Sequence, residues 1–133
     1  MITVITYGTF DLMHYGHLRL LKRCAALGDK LIVGVSTDEM CLTKGKKTVF
    51  DVKTRMQMVS DLRYVDLVIP EENMAQKIED IKKYKADIFV LGDDYKDVFP
   101  KMKEYPEVKR LCKIVFLERT PDISTTDLKA KIK

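Results

Sequence analysis

Tyr7-Gly8-Thr9-Phe10-Asp11-Leu12-Met13-His14-Tyr15-Gly16-His17 follows an apolar run (Ile2, Val4, Ile5) and precedes a helical pattern of Leu18, Leu21 and Ala25, with Leu20, Cys24 and Leu27 beside it. It therefore reads as the turn from a first strand into a first helix. Such a turn is an anion site by construction, because unpaired N–H groups and the positive end of the helix dipole face the same point. Gly8 and Gly16 would allow a ligand close to the backbone. His14 and His17 are three apart, so they share a face if the helix has begun by His14. Two imidazoles there suit a polyphosphate whose charge grows at one oxygen. A pair of surface histidines is the plainer alternative. Zinc would need a third protein ligand, and Cys24, Cys41 and Cys112 have no ligand spacing.

Working outward, Gly28 is a candidate helix stop, and Lys30–Ser36 is a nearly unbroken apolar run suited to a buried parallel strand. Between Thr37 and Asp51 periodicity disappears, with Lys44-Gly45-Lys46-Lys47 in the middle. Leaving the carboxyl end of a strand, that loop would overhang the phosphate site; otherwise it is a solvated surface loop. Val52, Met56, Val59 and Leu62 form one helical face, and Val65–Ile69 is a third strand closed by Pro70. Asn73 is a candidate cap for a helix whose seam is Met74, Ile78, Ile81 and Tyr84 or Lys85. Asp87–Leu91 is a fourth strand, ending in Gly92-Asp93-Asp94. Pro100 and Pro106 break Val98–Leu111 into short helical pieces or one irregular excursion. Lys113–Leu117 is a fifth strand, and Ser124-Thr125-Thr126-Asp127 supplies the N-cap of a final helix.

This alternation predicts an α/β fold: a single Rossmann-like domain over residues 1–133, with a five-stranded parallel sheet and helices on both faces. Ligands in such folds bind beyond the carboxyl ends of the strands, where the winding reverses. The first turn, the lysine loop, Gly92–Asp94 and Arg119–Thr126 should converge there. A hydrophobic share of 46% and a charged share of 33% fit an ordinary globular protein. No apolar run nears the roughly 20 residues that span a bilayer, and no signal-peptide pattern opens the chain, so we expect no membrane partner and a cytoplasmic location. Three unpatterned cysteines fit a reducing compartment. The net charge of +4 suits a small anionic ligand, and without an aromatic–basic cluster it does not argue for nucleic acid.

The opening string, G-T-F-D-x-x-H-x-G-H, resembles the signature of the HIGH-motif nucleotidyltransferases, in their cytidylyltransferase branch. Arg119-Thr120-Pro121-Asp122-Ile123-Ser124-Thr125-Thr126 resembles the family's R-T-x-x-I-S-T-T, and Arg63-Tyr64-Val65-Asp66 with Val68-Ile69-Pro70 resembles its R-Y-V-D-x-V-I-P segment. Lys44, Lys46 and Lys77 stand where bacterial glycerol-3-phosphate cytidylyltransferases carry lysines. Those enzymes make CDP-glycerol for teichoic-acid-type polymers. The chain departs from them in having no Trp, with Tyr15, Met74 and Tyr95 where they tend to carry one, and in a longer 96–113 segment.

The resemblance implies that an acceptor phosphate attacks the α-phosphorus of CTP and releases pyrophosphate, with Mg²⁺ arriving as the CTP counter-ion. His14, His17, Lys46 and Arg119 are then the catalytic set. Gly8, Thr9, Phe10, Asp11, Gly16, Asp94, Thr120, Ile123, Ser124, Thr125 and Thr126 join them around the nucleotide, and Lys44, Arg63 and Lys77 hold the acceptor, a small phosphorylated alcohol. Asp11 is open to three readings: orienting a neighbour, helping to hold Mg²⁺, or capping the first helix. Asp94 could recognise the nucleoside, restrain Arg63 or simply make a turn. Arg63–Asp66 marks a subunit contact in the resembling enzymes, implying a homodimer; by its residues alone it could equally open a core strand. Choline, ethanolamine or longer polyol phosphates are the alternative acceptors, and a nucleotide-sensing module without chemistry is the reading from another class.

Overall fold

The computed structural model describes residues 1–118. Five strands, β1 (Thr3–Gly8), β2 (Lys30–Ser36), β3 (Leu67–Glu71), β4 (Ile88–Gly92) and β5 (Lys113–Leu117), form one parallel sheet in the order β3-β2-β1-β4-β5. The connecting helices are α1 (Tyr15–Ala25), α2 (Asp38–Thr43), α3 (Val52–Ser60), α4 (Gln76–Tyr84) and α5 (Tyr105–Leu111), with two short 3₁₀ turns between β4 and α5.

Alternation along the strands divides the core into two layers. Val4, Leu31, Val33, Val35 and Val90 face α1 and α3 through Leu21, Cys24 and Val59. Ile5, Ile32, Ile69 and Phe89 face α4 and α5 through Ile81 and Val108. Both faces of the sheet are thus covered, as the unbroken apolar strands require. At the amino edge, carboxylates accept the first backbone N–H groups: Asp29 from Ile2 (2.7 Å), Asp87 from Thr3 (2.9 Å) and Asp66 from Leu31 (2.7 Å).

Several local expectations shift. Gly28 is no left-handed helix stop, since α1 closes at Ala26 in the right-handed region. Instead a Cβ on Gly28 would lie 2.7 Å from the Ile2 carbonyl, so the residue is small for packing. The aperiodic 37–51 stretch contains α2, capped by the Thr37 hydroxyl, which accepts from the Met40 N–H at 3.1 Å. The third strand runs through Pro70 to Glu71; β3 is an edge strand, where a missing N–H leaves no ladder bond unmade. The residue before α4 is Ala75, which makes no side-chain cap, and Asn73 further back accepts from the Gln76 N–H at 2.9 Å. Leu18, placed on the buried face of the first helix, is exposed; Leu21 and Cys24 are the residues it buries.

Gly34 has a packing role of its own. A Cβ there would fall 2.3 Å from the Tyr7 ring. Gly34→Ala should therefore destabilise the fold by about 1–3 kcal/mol, the scale of overpacking a dense core. A urea midpoint equal to that of the parent would refute it.

Candidate active site

The winding reverses between β1 and β4, and the carboxyl ends of these two strands open into a cleft of about 1000 Å³. Gly8, Thr9, Phe10, Asp11, His14, Gly16, His17, Lys44, Lys46, Lys77 and Asp94 all line it. Three of the four segments expected to converge do so. The fourth, with Arg119, Thr120, Ile123, Ser124, Thr125 and Thr126, lies outside the described residues.

The histidines are positioned by the helix they open. His14 is the N-cap of α1, and its Nδ1 accepts from the Gly16 N–H at 3.0 Å, while the Nδ1 of His17 accepts from the His14 N–H at 3.2 Å. This is a capping box built from imidazoles. A nitrogen that accepts an N–H must carry a lone pair, so each neutral ring bears its proton on Nε2. The rings stack 4.0 Å apart, 29° from coplanar, and Phe10 packs its edge against His17 at 5.6 Å. Two stacked imidazoles, each with Nε2 as its donor, thereby stand together at a helix N-terminus.

The turn before them is strained and held. Phe10 and Leu12 have φ of 54° and 48°, a region side-chain-bearing residues rarely adopt. Between them, the buried Asp11 accepts from the Val49 N–H at 2.7 Å and the Phe50 N–H at 3.0 Å. Of its three readings, orienting a neighbour is the one this geometry favours: Asp11 ties the lysine loop to the first turn. Gly8 is required by the Phe10 ring, which a Cβ would meet at 2.8 Å. Gly92 likewise makes room for Asp94, whose Oδ1 would lie 2.6 Å from a Cβ.

The lysine loop gains its shape from the end of α2. The Lys46 N–H donates to the Cys41 carbonyl (2.9 Å) and the Gly45 N–H to that of Leu42 (3.0 Å), with Gly45 at φ 72°. This Schellman closure needs the glycine between the two lysines. Lys44 Nζ lies 3.8 Å from Glu71 Oε1. Lys77, only 4% exposed, pairs with Glu71 Oε2 and lies 3.3 Å from the Met74 sulfur and 4.6 Å from the centre of the Tyr7 ring. Tyr7 is fixed in turn by donating to Asp80 at 2.7 Å. Burial lowers the Lys77 pKa, and the Glu71 carboxylate works against that shift.

Two buried charged residues beside the cleft escaped the sequence reading. Glu71 is 1% exposed at the end of β3 and accepts from the Ser36 hydroxyl at 2.5 Å. Arg55 is fully buried: its guanidinium donates to the carbonyls of Phe50 (3.0 Å), Thr9 (2.8 Å) and Ser36 (2.7 Å), and to Asp38 Oδ1 (2.7 Å). A signal existed for each. Arg55 falls on the apolar face between Val52 and Val59, and Glu71 continues an apolar strand at the edge where ligands bind.

One assignment does not fit the geometry within a single chain. Arg63 lies in the α3–β3 turn, exposed and outside the cleft, because segments that follow a helix return to the amino edge of a parallel sheet. Within one chain it neither touches the site nor reaches Asp94. Tyr84 packs into the core beneath α4, on the seam expected for it, and Tyr95 lines the cleft.

A family model described as cytidylyltransferase-like matches residues 5–131. The chain is 50% identical over 129 residues to a glycerol-3-phosphate cytidylyltransferase of Bacillus spizizenii, covering 97% of this chain and 95% of that protein. It is 46% identical over 132 residues to the Staphylococcus aureus protein of the same name, covering 99% and 96%. Among solved structures, the lipopolysaccharide core biosynthesis protein of Thermoplasma volcanium superposes with a TM-score of 0.78 at 32% identity, over 90% of this chain and 98% of that one.

Proposed function

The chain belongs to the cytidylyltransferase-like family, and we propose that it transfers the cytidylyl group of CTP to glycerol-3-phosphate, giving CDP-glycerol and pyrophosphate. Residues 1–133 act as one catalytic domain in this reading. The observation that carries it is the division of the cleft: two histidine donors stand at a helix N-terminus on one side, and two lysines meet at Glu71 on the other. Near full-length identity to two glycerol-3-phosphate cytidylyltransferases supports the same acceptor.

A phosphate oxygen of the acceptor attacks the α-phosphorus of CTP in line, and the bond to pyrophosphate breaks. The acceptor supplies its own nucleophile, so the protein positions two anions that repel one another and stabilises charge in the transition state. His14 and His17 donate through Nε2 to the α-phosphate as it becomes pentacoordinate. Lys46 draws on the triphosphate, and Lys44 and Lys77 bind the acceptor phosphate. Arg119, Thr120, Ser124 and Thr125 take the β- and γ-phosphates by their motif. Asp94 faces the nucleoside.

Magnesium enters as part of the Mg–CTP substrate. Among the described residues no group of three or more His, Cys, Asp or Glu could cage it, and the carboxylates of Asp11 and Glu71 are already engaged by backbone N–H groups and by lysines. Phosphate oxygens and water are this ion's ordinary ligands.

A homodimer through Arg63–Asp66 and a cytoplasmic location belong to the same proposal. Arg63 is exposed on the edge away from its own cleft, and no helix among the described residues is long and apolar enough to cross a membrane.

The test is a comparison of kcat/KM for pyrophosphate release from CTP with glycerol-3-phosphate, ethanolamine phosphate, choline phosphate and a longer polyol phosphate. Two ammoniums against one carboxylate leave the acceptor end cationic, which disfavours a quaternary ammonium, and Met74 stands where an aromatic wall would be needed. Glycerol-3-phosphate should exceed choline phosphate by at least ~10-fold, about 1.4 kcal/mol of discrimination, with longer polyols tolerated and Met74→Trp narrowing that tolerance. Choline phosphate as the best acceptor would refute the assignment.

A further inference from the structure

We propose that Glu71 is a positioning residue of the acceptor end of the cleft: its carboxylate clamps Lys77 and Lys44 together as one cationic seat for the acceptor's phosphate. This rests on the reading of that end as the acceptor subsite.

A carboxylate beside a phosphate site is at first sight an error, since it repels the ligand. The geometry gives it another purpose. Lys77 is buried at the root of α4, and Lys44 follows α2; nothing local brings the two side chains together. Glu71 does so, with one oxygen on Lys77 and the other 3.8 Å from Lys44. Glu71 is itself fixed, because the Ser36 hydroxyl donates to Oε1 at 2.5 Å and the residue belongs to a strand in register with Ser36. The anchor is therefore part of the sheet rather than of a loop.

The second task of Glu71 is electrical. The groups that face Lys77 are Glu71 on β3, Lys44 after α2, Tyr7 on β1, Met74 before α4 and Glu104 before α5. Burial and Lys44 favour the neutral amine, while Glu71 and, more weakly, Glu104 favour the ammonium. Two neighbouring ammoniums, one of them buried, would otherwise disfavour each other's charge. With Glu71 in place, one positive charge remains in excess across the three residues. An incoming phosphate dianion thus meets two preorganised donors without their having to be gathered or protonated first. The cost of ordering two long side chains is met at folding rather than at binding.

The experiment measures steady-state kinetics of Glu71→Gln, Glu71→Asp and Lys77→Ala in the full chain, with glycerol-3-phosphate and CTP varied separately across pH 6–10. Glu71→Gln should raise the acceptor KM at least ~10-fold while the CTP KM stays within ~2-fold. Its acceptor kcat/KM should fall off at lower pH than in the parent, because Lys77 loses its proton sooner without the carboxylate. Glu71→Asp keeps the charge but is shorter by a methylene, so it should restore the parental pH profile while the acceptor KM stays raised. A protection of the variants against thermal unfolding by CTP reports that they are folded. If Glu71→Gln leaves the pH profile unchanged or lowers the acceptor KM, the carboxylate is a bystander or a competitor and the inference fails. An unchanged acceptor KM in Lys77→Ala overturns the acceptor subsite itself; a raised KM there beside a parental one in Glu71→Gln overturns only the role of Glu71.

Discussion

His14→Ala and His17→Ala are each expected to lower kcat by at least ~100-fold while the KM for CTP changes by less than ~3-fold. In the proposed reaction the Nε2–H donors act where charge develops, on the α-phosphate, and a donor made useful only in the transition state costs turnover when removed. Both histidines are also caps, so alanine removes a structural bond as well as a catalytic one. A lost cap costs about 1 kcal/mol of stability, which would lower the melting temperature without explaining a large loss of turnover. His14→Asn and His17→Gln separate the two effects. Asn serves as an N-cap and Gln fills the third position of a capping box, so both variants should melt near the parent yet remain nearly inactive. Recovery of parental kcat in either would assign that histidine to the helix alone.

Arg55→Met is expected to destabilise the protein by about 3–5 kcal/mol, since three carbonyls lose their donor at about 1–3 kcal/mol for each one left unsatisfied. The guanidinium joins the first turn at Thr9, the end of β2 at Ser36, α2 at Asp38 and the lysine loop at Phe50. Removing it takes this donor from three carbonyls at once, whereas the half-exposed Asp38 carboxylate keeps the Thr48 hydroxyl and the Val52 N–H. Arg55→Lys should recover little, since one ammonium cannot reproduce a planar fork that reaches four acceptors. Catalysis should suffer alongside stability, because the first turn with Thr9 and the loop with Lys44 and Lys46 lose their common tie. Chemical denaturation monitored by circular dichroism provides the measure, and a midpoint of Arg55→Met within error of the parent would sink the claim.

The α/β alternation and its all-parallel pairing were legible because they are written in short-range pattern. Lys30–Ser36 and Lys113–Leu117 are strands over the residues expected, since a strand buried on both faces must be apolar throughout. The convergence of Gly8–His17, Lys44, Lys46 and Asp94 followed from topology alone: in a parallel sheet, whatever leaves a carboxyl end is near whatever leaves the next. Arg63 shows the same rule from the other side. Its motif suggested a site residue, but its place after α3 puts it at the amino edge.

What no window of sequence contained is the fate of individual charges. A charged residue reads as exposed until its partners are known, and those of Arg55 lie at Thr9, Ser36, Asp38 and Phe50, up to 46 residues away. Glu71 and Lys77 are close in sequence, yet their shared burial depends on Ser36 from the neighbouring strand and on Tyr7 beneath the ammonium. The amino-acid order alone determined which segments are strands and helices and which loops meet at the cleft, because burial imposes a period on local composition. Only the tertiary structure decided which carboxylate, guanidinium and ammonium hold those loops in place, because a buried charge is stable only where distant parts of the chain bring it a partner.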